Sequence, residues 1–420
     1  MIEINLAIAL IIYLICSFIV VKKNGYGYLP VLFSCYFIFI LIVPAFFHVS
    51  DNVFPFYGLS YDYDVQYKAS IVLLIFSIVF WLGFFWNQKL IHPNKTDLYR
   101  VNHIKRVSGT RFYLVFYSSV LITLLLMFSY GPEVFMVKRI DFDREAFGEN
   151  LSAREFVINF VKTLSFCNLF FIIFLRKNFN RIAFLFNFSL VLIIFFIINF
   201  PLALPRFVFF SYILLLFCFF FRSTFKRKLA IFTSVILGIT TIFPYFSHLT
   251  RGEGGFNIDM GEYYRMSGDF DGFQSVINAI IYVNKNGLEY GNQILSSIFS
   301  FIPRSIWTTK AEPTGAIAAA SAGYDYVNIS SPLPAEFYVD FGFVGLIIFS
   351  FLFGILLRRI DIFYIFDRNL GLKYIIAVIT ISMIPIISRG ALLAVLNNFY
   401  VMIFTFSIMY FLIFFKIKLR

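Results

Sequence analysis

Five cationic side chains stand out by where they fall in the chain. Arg206 opens an apolar run after a proline-bracketed turn, Pro201 to Pro205, and Arg389 closes another, in Ser388-Arg389-Gly390. Arg251 starts a long polar stretch, and Arg304 follows Pro303, with Lys310 six residues on. A guanidinium is planar, permanently charged and bidentate, which matches a phosphate. Several converging at a membrane edge would clamp a pyrophosphate headgroup whose lipid tail stays in the bilayer. The competing reading is that each snorkels from a helix end to water. Two carboxylates, Glu336 and Asp340, are four apart and so share one helix face. Like charges at that spacing disfavour each other's ionisation, and one can then act as the general base that deprotonates a sugar hydroxyl. Acidic residues also gather at helix N-termini for dipole reasons alone.

Other patterns carry less. The pairs Asp62 and Asp64, Asp141 and Asp143, and Asp269 and Asp271 have the D-x-D spacing that can hold a divalent cation on a diphosphate, the last pair being the best placed. The spacing recurs in a chain rich in Asp–aromatic neighbours, so no metal site is expected. His48, His92, His103 and His248 lack metal-ligand spacing, and His248 is the candidate histidine base. Lys162 lies inside an apolar run, a functional position by default in a membrane. Cys16, Cys35, Cys167 and Cys218 all fall inside apolar runs and read as small buried hydrophobes. Tyr263, Tyr264, Tyr324 and Tyr326 have ring faces on which sugars can stack.

The elements that must position these residues are membrane helices. The 420-residue chain is 60% hydrophobic and 21% aromatic, whereas a soluble domain is about 45–50% apolar. Apolar runs at 2–21, 29–48, 69–86, 112–130, 156–175, 182–200, 207–221, 229–247, 337–357, 374–388 and 400–415 each approach the length that crosses a bilayer. The first has no basic n-region and no small-residue cleavage site, so a span rather than a signal peptide is expected. The fold class is therefore an all-α polytopic membrane protein of about 11 transmembrane helices. Basic residues cluster at 22–23, 89–111, 176–181, 222–228, 358–373 and 416–420, on alternate loops. Those loops are expected on the cytoplasmic side, with the N-terminus outside and the C-terminus inside. The net charge of +12 is thus segregated by loop, and no nucleic-acid partner is expected. The domain plan is a transmembrane bundle of about eight helices at 1–247, a large external loop at 248–336, and about three C-terminal transmembrane helices at 337–420. Within the loop, Phe273, Val276, Ile277, Ile280 and Ile281 share helical spacing, as do Ile294, Leu295, Ile298, Phe299 and Ile302. Both stretches predict short amphipathic helices that lie on the membrane or cap the bundle.

One segment carries a resemblance. It runs from Tyr290-Gly291 through Ile302-Pro303-Arg304-Ser305-Ile306-Trp307, Lys310 and Pro313 to Ser331-Pro332, Phe337-Tyr338 and Phe341-Gly342-Phe343-Val344-Gly345. This segment, with the arginines at the ends of apolar runs, resembles the bacterial O-antigen and surface-polysaccharide polymerases of the Wzy family, relatives of the O-antigen ligases. The resemblance implies an enzyme of the inner (plasma) membrane. It would join undecaprenyl-pyrophosphate-linked oligosaccharide repeat units, transferring the growing glycan to a new lipid-linked unit at the outer face. It implies no cofactor. The partners implied are the lipid-linked oligosaccharide, the lipid bilayer and a polysaccharide chain-length regulator. Arg304, Arg206 and Arg389 would stabilise the leaving pyrophosphate, with Arg251 and Lys310 in support; Glu336 or Asp340 would position or deprotonate the acceptor. An O-antigen ligase and a lipid-linked oligosaccharide flippase stand as the alternatives.

Overall fold

Lipid offers backbone amides no hydrogen-bond partner, so a chain this apolar must bond them within helices. The computed structural model describes residues 1–86, 109–136, 151–242, 244–245, 259–366 and 371–414, and no strand occurs among them. Six long helices come first: α1 Ile2–Lys22, α2 Leu29–Asp51, α3 Tyr63–Phe85, α4 Gly109–Tyr130, α5 Leu151–Phe174 and α6 Arg181–Ile198. Two shorter ones follow, α7 Arg206–Phe220 and α8 Phe225–Leu237, the latter continued by a wide turn, Gly238–Ile242. The polar stretch contributes α9 Gly272–Asn286, α10 Asn292–Ile298 and α11 Thr314–Ser321. The chain ends in α12 Leu333–Phe366, α13 Leu372–Arg389 and α14 Leu392–Phe414. Among the described residues, nine helices are long and apolar enough to cross a membrane. The remaining two of the eleven expected spans are α7 and α8, whose helices are shorter. The protein is a multi-pass, all-α membrane protein.

α12 is the spine of the bundle and packs along α3. The two backbones approach because glycines face each other: a Cβ on Gly83 would lie 2.2 Å from the Phe351 carbonyl oxygen, and one on Gly354 would lie 2.3 Å from that of Phe80. Small residues at crossings of this kind replace the hydrophobic drive that lipid cannot supply. The four cysteines are free and buried.

The expected continuous helix over 337–357 is instead broken. Phe341 and Gly342 leave helical geometry, Gly342 at φ +61°, a conformation that glycine adopts without steric cost. Residues 333–340, which carry Glu336 and Asp340, form a separate buried segment ahead of the membrane helix at 343–366. The polar stretch folds down onto this end of the bundle. α9 buries Phe273, Val276, Ile277 and Ile280 against α3 and α12, so this amphipathic helix caps the bundle rather than lying flat on lipid. α10 packs on α14 but leaves Leu295 and Ile298 about half exposed, beside exposed Phe299, Phe301 and Ile306.

At the opposite end, charges counted as orientation signals prove to be buried. Lys228 donates to the carbonyls of Val20 and Lys23, both at 2.7 Å. Arg358 pairs with fully buried Asp361 at 3.3 Å, and Asp361 also accepts from the Gly27 amide at 2.9 Å. This cluster ties the α1–α2 loop to α8 and α12.

The glycine contact makes a direct prediction. Gly83→Val and Gly354→Val each force backbones apart, at a cost of about 3 kcal/mol or more, and should sharply reduce the yield of monodisperse, detergent-solubilised protein. Gly238→Ala, where a Cβ would meet nothing within 4 Å, should leave yield and thermal unfolding unchanged.

Candidate functional site

Two arginines from different helices meet on one acidic turn. Residues 267–271 fold as a short 3-10 turn, in which the Asp269 amide donates to Ser267 Oγ. Arg206, at the first position of α7, reaches it with Nη2 2.8 Å from Asp269 Oδ2 and 3.0 Å from Oδ1. Arg389, the last residue of α13, donates from Nη2 to the Gly268 carbonyl at 2.7 Å and to Asp271 Oδ1 at 3.2 Å. Its guanidinium lies over the Phe207 ring, 5.1 Å from the centroid. Asp271 Oδ2 accepts from the Ser330 amide, and the Arg389 carbonyl accepts from the Ser331 amide. The turn therefore fastens α7, α13 and residues 330–331 together.

Two donors here are unsatisfied. Among the described residues, Arg389 Nε and Tyr36 Oη are buried and have no hydrogen-bond partner. Tyr36 Oη would be 3.7 Å from a Cβ on Gly272, next to Asp271. An unmade hydrogen bond on a buried group costs about 1–3 kcal/mol, so each such donor calls for an explanation, a ligand being one.

Directly beside this turn is a cavity of about 370 Å³, within the range of small-molecule sites. Leu32, Cys35, Tyr36 and Ile40 of α2 line it, with Phe207, Phe209, Phe210 and Ile213 of α7. Val235, Gly238, Ile239 and Ile242 of α8 and its extension, and Pro385 of α13, complete an almost wholly apolar wall, to which Arg206 adds the charge. α7 packs on α13 while α8 packs on α2 and α1; the arms of this helical hairpin diverge and leave the space between them. Ile213 and Ile242 are about half exposed, so the cavity opens sideways, toward lipid.

The other expected site residues are differently engaged. Arg304 donates to the carbonyls of Lys310 and Ala311, both at 2.7 Å, and pairs with Glu312 at 3.1 Å. Lys310 turns inward and donates to the carbonyls of Ser300 and Ile302. Burial, and then the Arg304 guanidinium, lower the Lys310 ammonium from its usual value. These two residues staple residues 300–312 into a compact loop. Glu336 is buried and accepts from Thr314 Oγ1 at 2.6 Å and from the Leu392 amide at 2.9 Å, three residues beyond Arg389. Asp340 accepts from the amides of Gln293 and Ile294 and so caps α10. Arg251, His248, Asp141 and Asp143 lie outside the described residues, and Asp62 and Asp64 are exposed at the start of α3. His48 Nε2 is engaged with the Tyr264 carbonyl at 2.8 Å.

Residues 259–420 match the family model of O-antigen polysaccharide polymerase Wzy. This bears out the resemblance carried by the segment around Ile302 to Trp307 and Phe341 to Gly345. No curated protein and no solved structure matches the chain. The family is one of polysaccharide polymerases. The Wzy-matched segment holds the acidic turn, Arg389, Arg304 and Glu336; Arg206, Tyr36 and most of the apolar wall come from the half of the chain before it. The site is thus assembled across the whole molecule.

Three features were missed by reading the sequence. The D-x-D spacing at Asp269 and Asp271 gave no sign that each carboxylate holds a guanidinium from a distant helix. Tyr36 gave no signal inside an apolar run. The cavity depends on two helices diverging, which no local pattern encodes.

Removing Arg389 strands the buried Asp271 charge, at a cost of up to about 3–5 kcal/mol. Arg389→Ala should therefore lower the unfolding temperature of the solubilised protein markedly, and the double variant Arg389→Gln/Asp271→Asn should recover most of it. Equal instability of single and double variants would show that the pair is not what holds the turn.

Proposed function

We propose that this protein polymerises undecaprenyl-pyrophosphate-linked oligosaccharide repeat units at the outer face of the plasma membrane, with its N-terminus outside and its C-terminus in the cytoplasm. The observation that carries the reading is the junction of Arg206, Arg389 and Tyr36 with an apolar cavity open toward lipid. An amphiphile with an isoprenoid tail and an anionic head fits both halves: tail in the cavity, pyrophosphate against the arginines.

In the reaction, a hydroxyl oxygen of the incoming unit forms a bond to the anomeric carbon of the growing glycan. The bond from that carbon to the pyrophosphate oxygen breaks, and its electron pair leaves with the lipid pyrophosphate. Negative charge develops on the leaving oxygen, where fixed donors contribute most to rate. The unpartnered Arg389 Nε and Tyr36 Oη are poised to donate there, with Arg206 alongside. Carboxylates hold both guanidinia in place, so little reorganisation is needed as the charge appears. The hydroxyl proton goes to Glu336, which is buried close to Arg389 in the chain's path and already desolvated. Arg304 and Lys310 shape the loop that covers the acceptor side.

The test is a gel of surface polysaccharide from a strain lacking the gene. Deletion should leave core bearing a single repeat, and the wild-type gene should restore a ladder. Arg389→Gln/Asp271→Asn and Glu336→Gln, at wild-type protein levels, should restore no ladder, and Tyr36→Phe should weaken it. Bare core after deletion would overturn the reading in favour of ligation or export.

A further inference from the structure

A second feature sits beside the arginine turn and has no part in the chemistry above. Two exposed aromatic rings, Tyr57 from the α2–α3 connection and Tyr326 from the polar stretch, form a mounted surface with the half-buried ring of Phe56. Tyr57 is 56% and Tyr326 48% exposed. Tyr57 Oη accepts from the Tyr326 amide at 3.2 Å, and the Phe56 and Tyr326 rings lie 6.3 Å apart. Tyr57 stands at φ +62°, a left-handed conformation that is strained for a bulky residue. Strain of this kind persists only where surrounding contacts over-determine it, and it concentrates at ligand sites.

The mounting is unusually well built for a surface. Tyr324 lies buried beneath, its ring 5.1 Å from that of Tyr57 and 6.1 Å from that of Phe56. Its hydroxyl is held by Gln274 Nε2 at 2.9 Å and Asn278 Nδ2 at 3.0 Å. Gln274 also accepts from the Phe56 amide at 2.9 Å. The exposed rings are therefore rigid, and little conformational entropy is lost when something binds to them.

The surface is continuous with the arginine site. A Cβ on Gly268 would touch the Phe56 ring at 3.6 Å, and the Gly268 carbonyl accepts from Arg389. On the other side, Tyr326 leads in four residues to Ser330, which bonds Asp271; four residues span at most about 14 Å. Exposed Asp325 and Asn328 flank the rings. Apolar ring faces with polar edges fit a sugar, whose C–H face is apolar and whose rim is hydroxyls.

We propose that Phe56, Tyr57 and Tyr326 form a glycan platform that holds the saccharide chain as it leaves the arginine site. The proposal rests on the polymerase reading for the identity of the glycan. The occupant is the oligosaccharide itself, not its lipid: the platform lies on the polar side of the arginines, away from the apolar cavity. Holding the chain between additions keeps it near the reacting centre, so the platform acts on length rather than on bond formation.

The experiment uses the full-length protein in nanodiscs, with the oligosaccharide repeat released by mild acid from the host's own surface polysaccharide as the probe. Tyr57→Gly removes the ring while relieving the left-handed strain, Tyr326→Ala removes the second ring, and Tyr57→Phe keeps the ring. Tyr57→Gly and Tyr326→Ala should each weaken oligosaccharide binding about tenfold, with thermal unfolding unchanged, and should shift the ladder in cells to shorter chains without abolishing it. Tyr57→Phe should stay close to wild type in both. If the wild-type gene restores a ladder and the ring-removing variants leave affinity and chain length unchanged, the platform is wrong and the polymerase reading stands. If the wild-type gene restores no ladder, yet ring removal still weakens oligosaccharide binding, the platform stands and the polymerase reading falls.

Discussion

Two largely buried charge pairs on one turn set the rest of this structure. An arginine cannot leave water without a partner, because the desolvation cost of an unpaired charge exceeds what packing returns. Asp269 and Asp271 supply the partners for Arg206 and Arg389. Because the two aspartates flank a single residue, Phe270, they bring the start of α7 and the end of α13 to a common point. That point fixes where the polar stretch must sit, and α9 begins immediately after it with its apolar face against the bundle.

The arrangement separates the two halves of an amphiphile's environment. On one side of the turn the wall is leucine, isoleucine and phenylalanine, with one cationic side chain at its edge. On the other side are the short helices, the stapled loop at 300–312, and hydrogen bonds made by backbone carbonyls and amides. Arg304 and Lys310 spend their donors on carbonyls of their own loop, which gives the loop a defined shape in the absence of regular secondary structure. Arg389 keeps one buried donor, Nε, without a partner among the described residues, as Arg358 does at the opposite end of the bundle.

The break at Phe341 and Gly342 is the other constraint. It separates residues 333–340 from the membrane helix that follows, and both carboxylates of this segment meet backbone amides. Asp340 closes the open N-terminus of α10, and Glu336 reaches the first amide of α14. Each satisfies donors that a buried helix start would otherwise leave unpaired. Glu336 thereby comes under the same roof as Arg389, although the two are far apart in sequence.

The amino-acid sequence alone determined the helical, membrane-embedded class, since runs of apolar residues near bilayer length admit no other backbone solution. It also carried the resemblance to the Wzy family, through Ile302 to Trp307 and the Phe341 to Gly345 run, within the segment 259–420 that matches the family model, and it marked Arg206 and Arg389 by their positions at the ends of apolar runs. The helical face of α9 was legible from spacing at Phe273, Val276, Ile277 and Ile280. Tertiary structure alone decided that Asp269 and Asp271 hold arginines, that Gly342 breaks a helix whose apolar pattern is continuous, and that Lys228 and Arg358 are buried. It alone decided that α7 and α8 diverge around a cavity that Tyr36 lines, and that Tyr57 stands exposed in a left-handed conformation. The physical reason is the range of the signals. Periodicity and hydropathy act over a few turns of one helix, whereas ion pairing, cavity shape and backbone strain arise between segments that only the folded chain brings together.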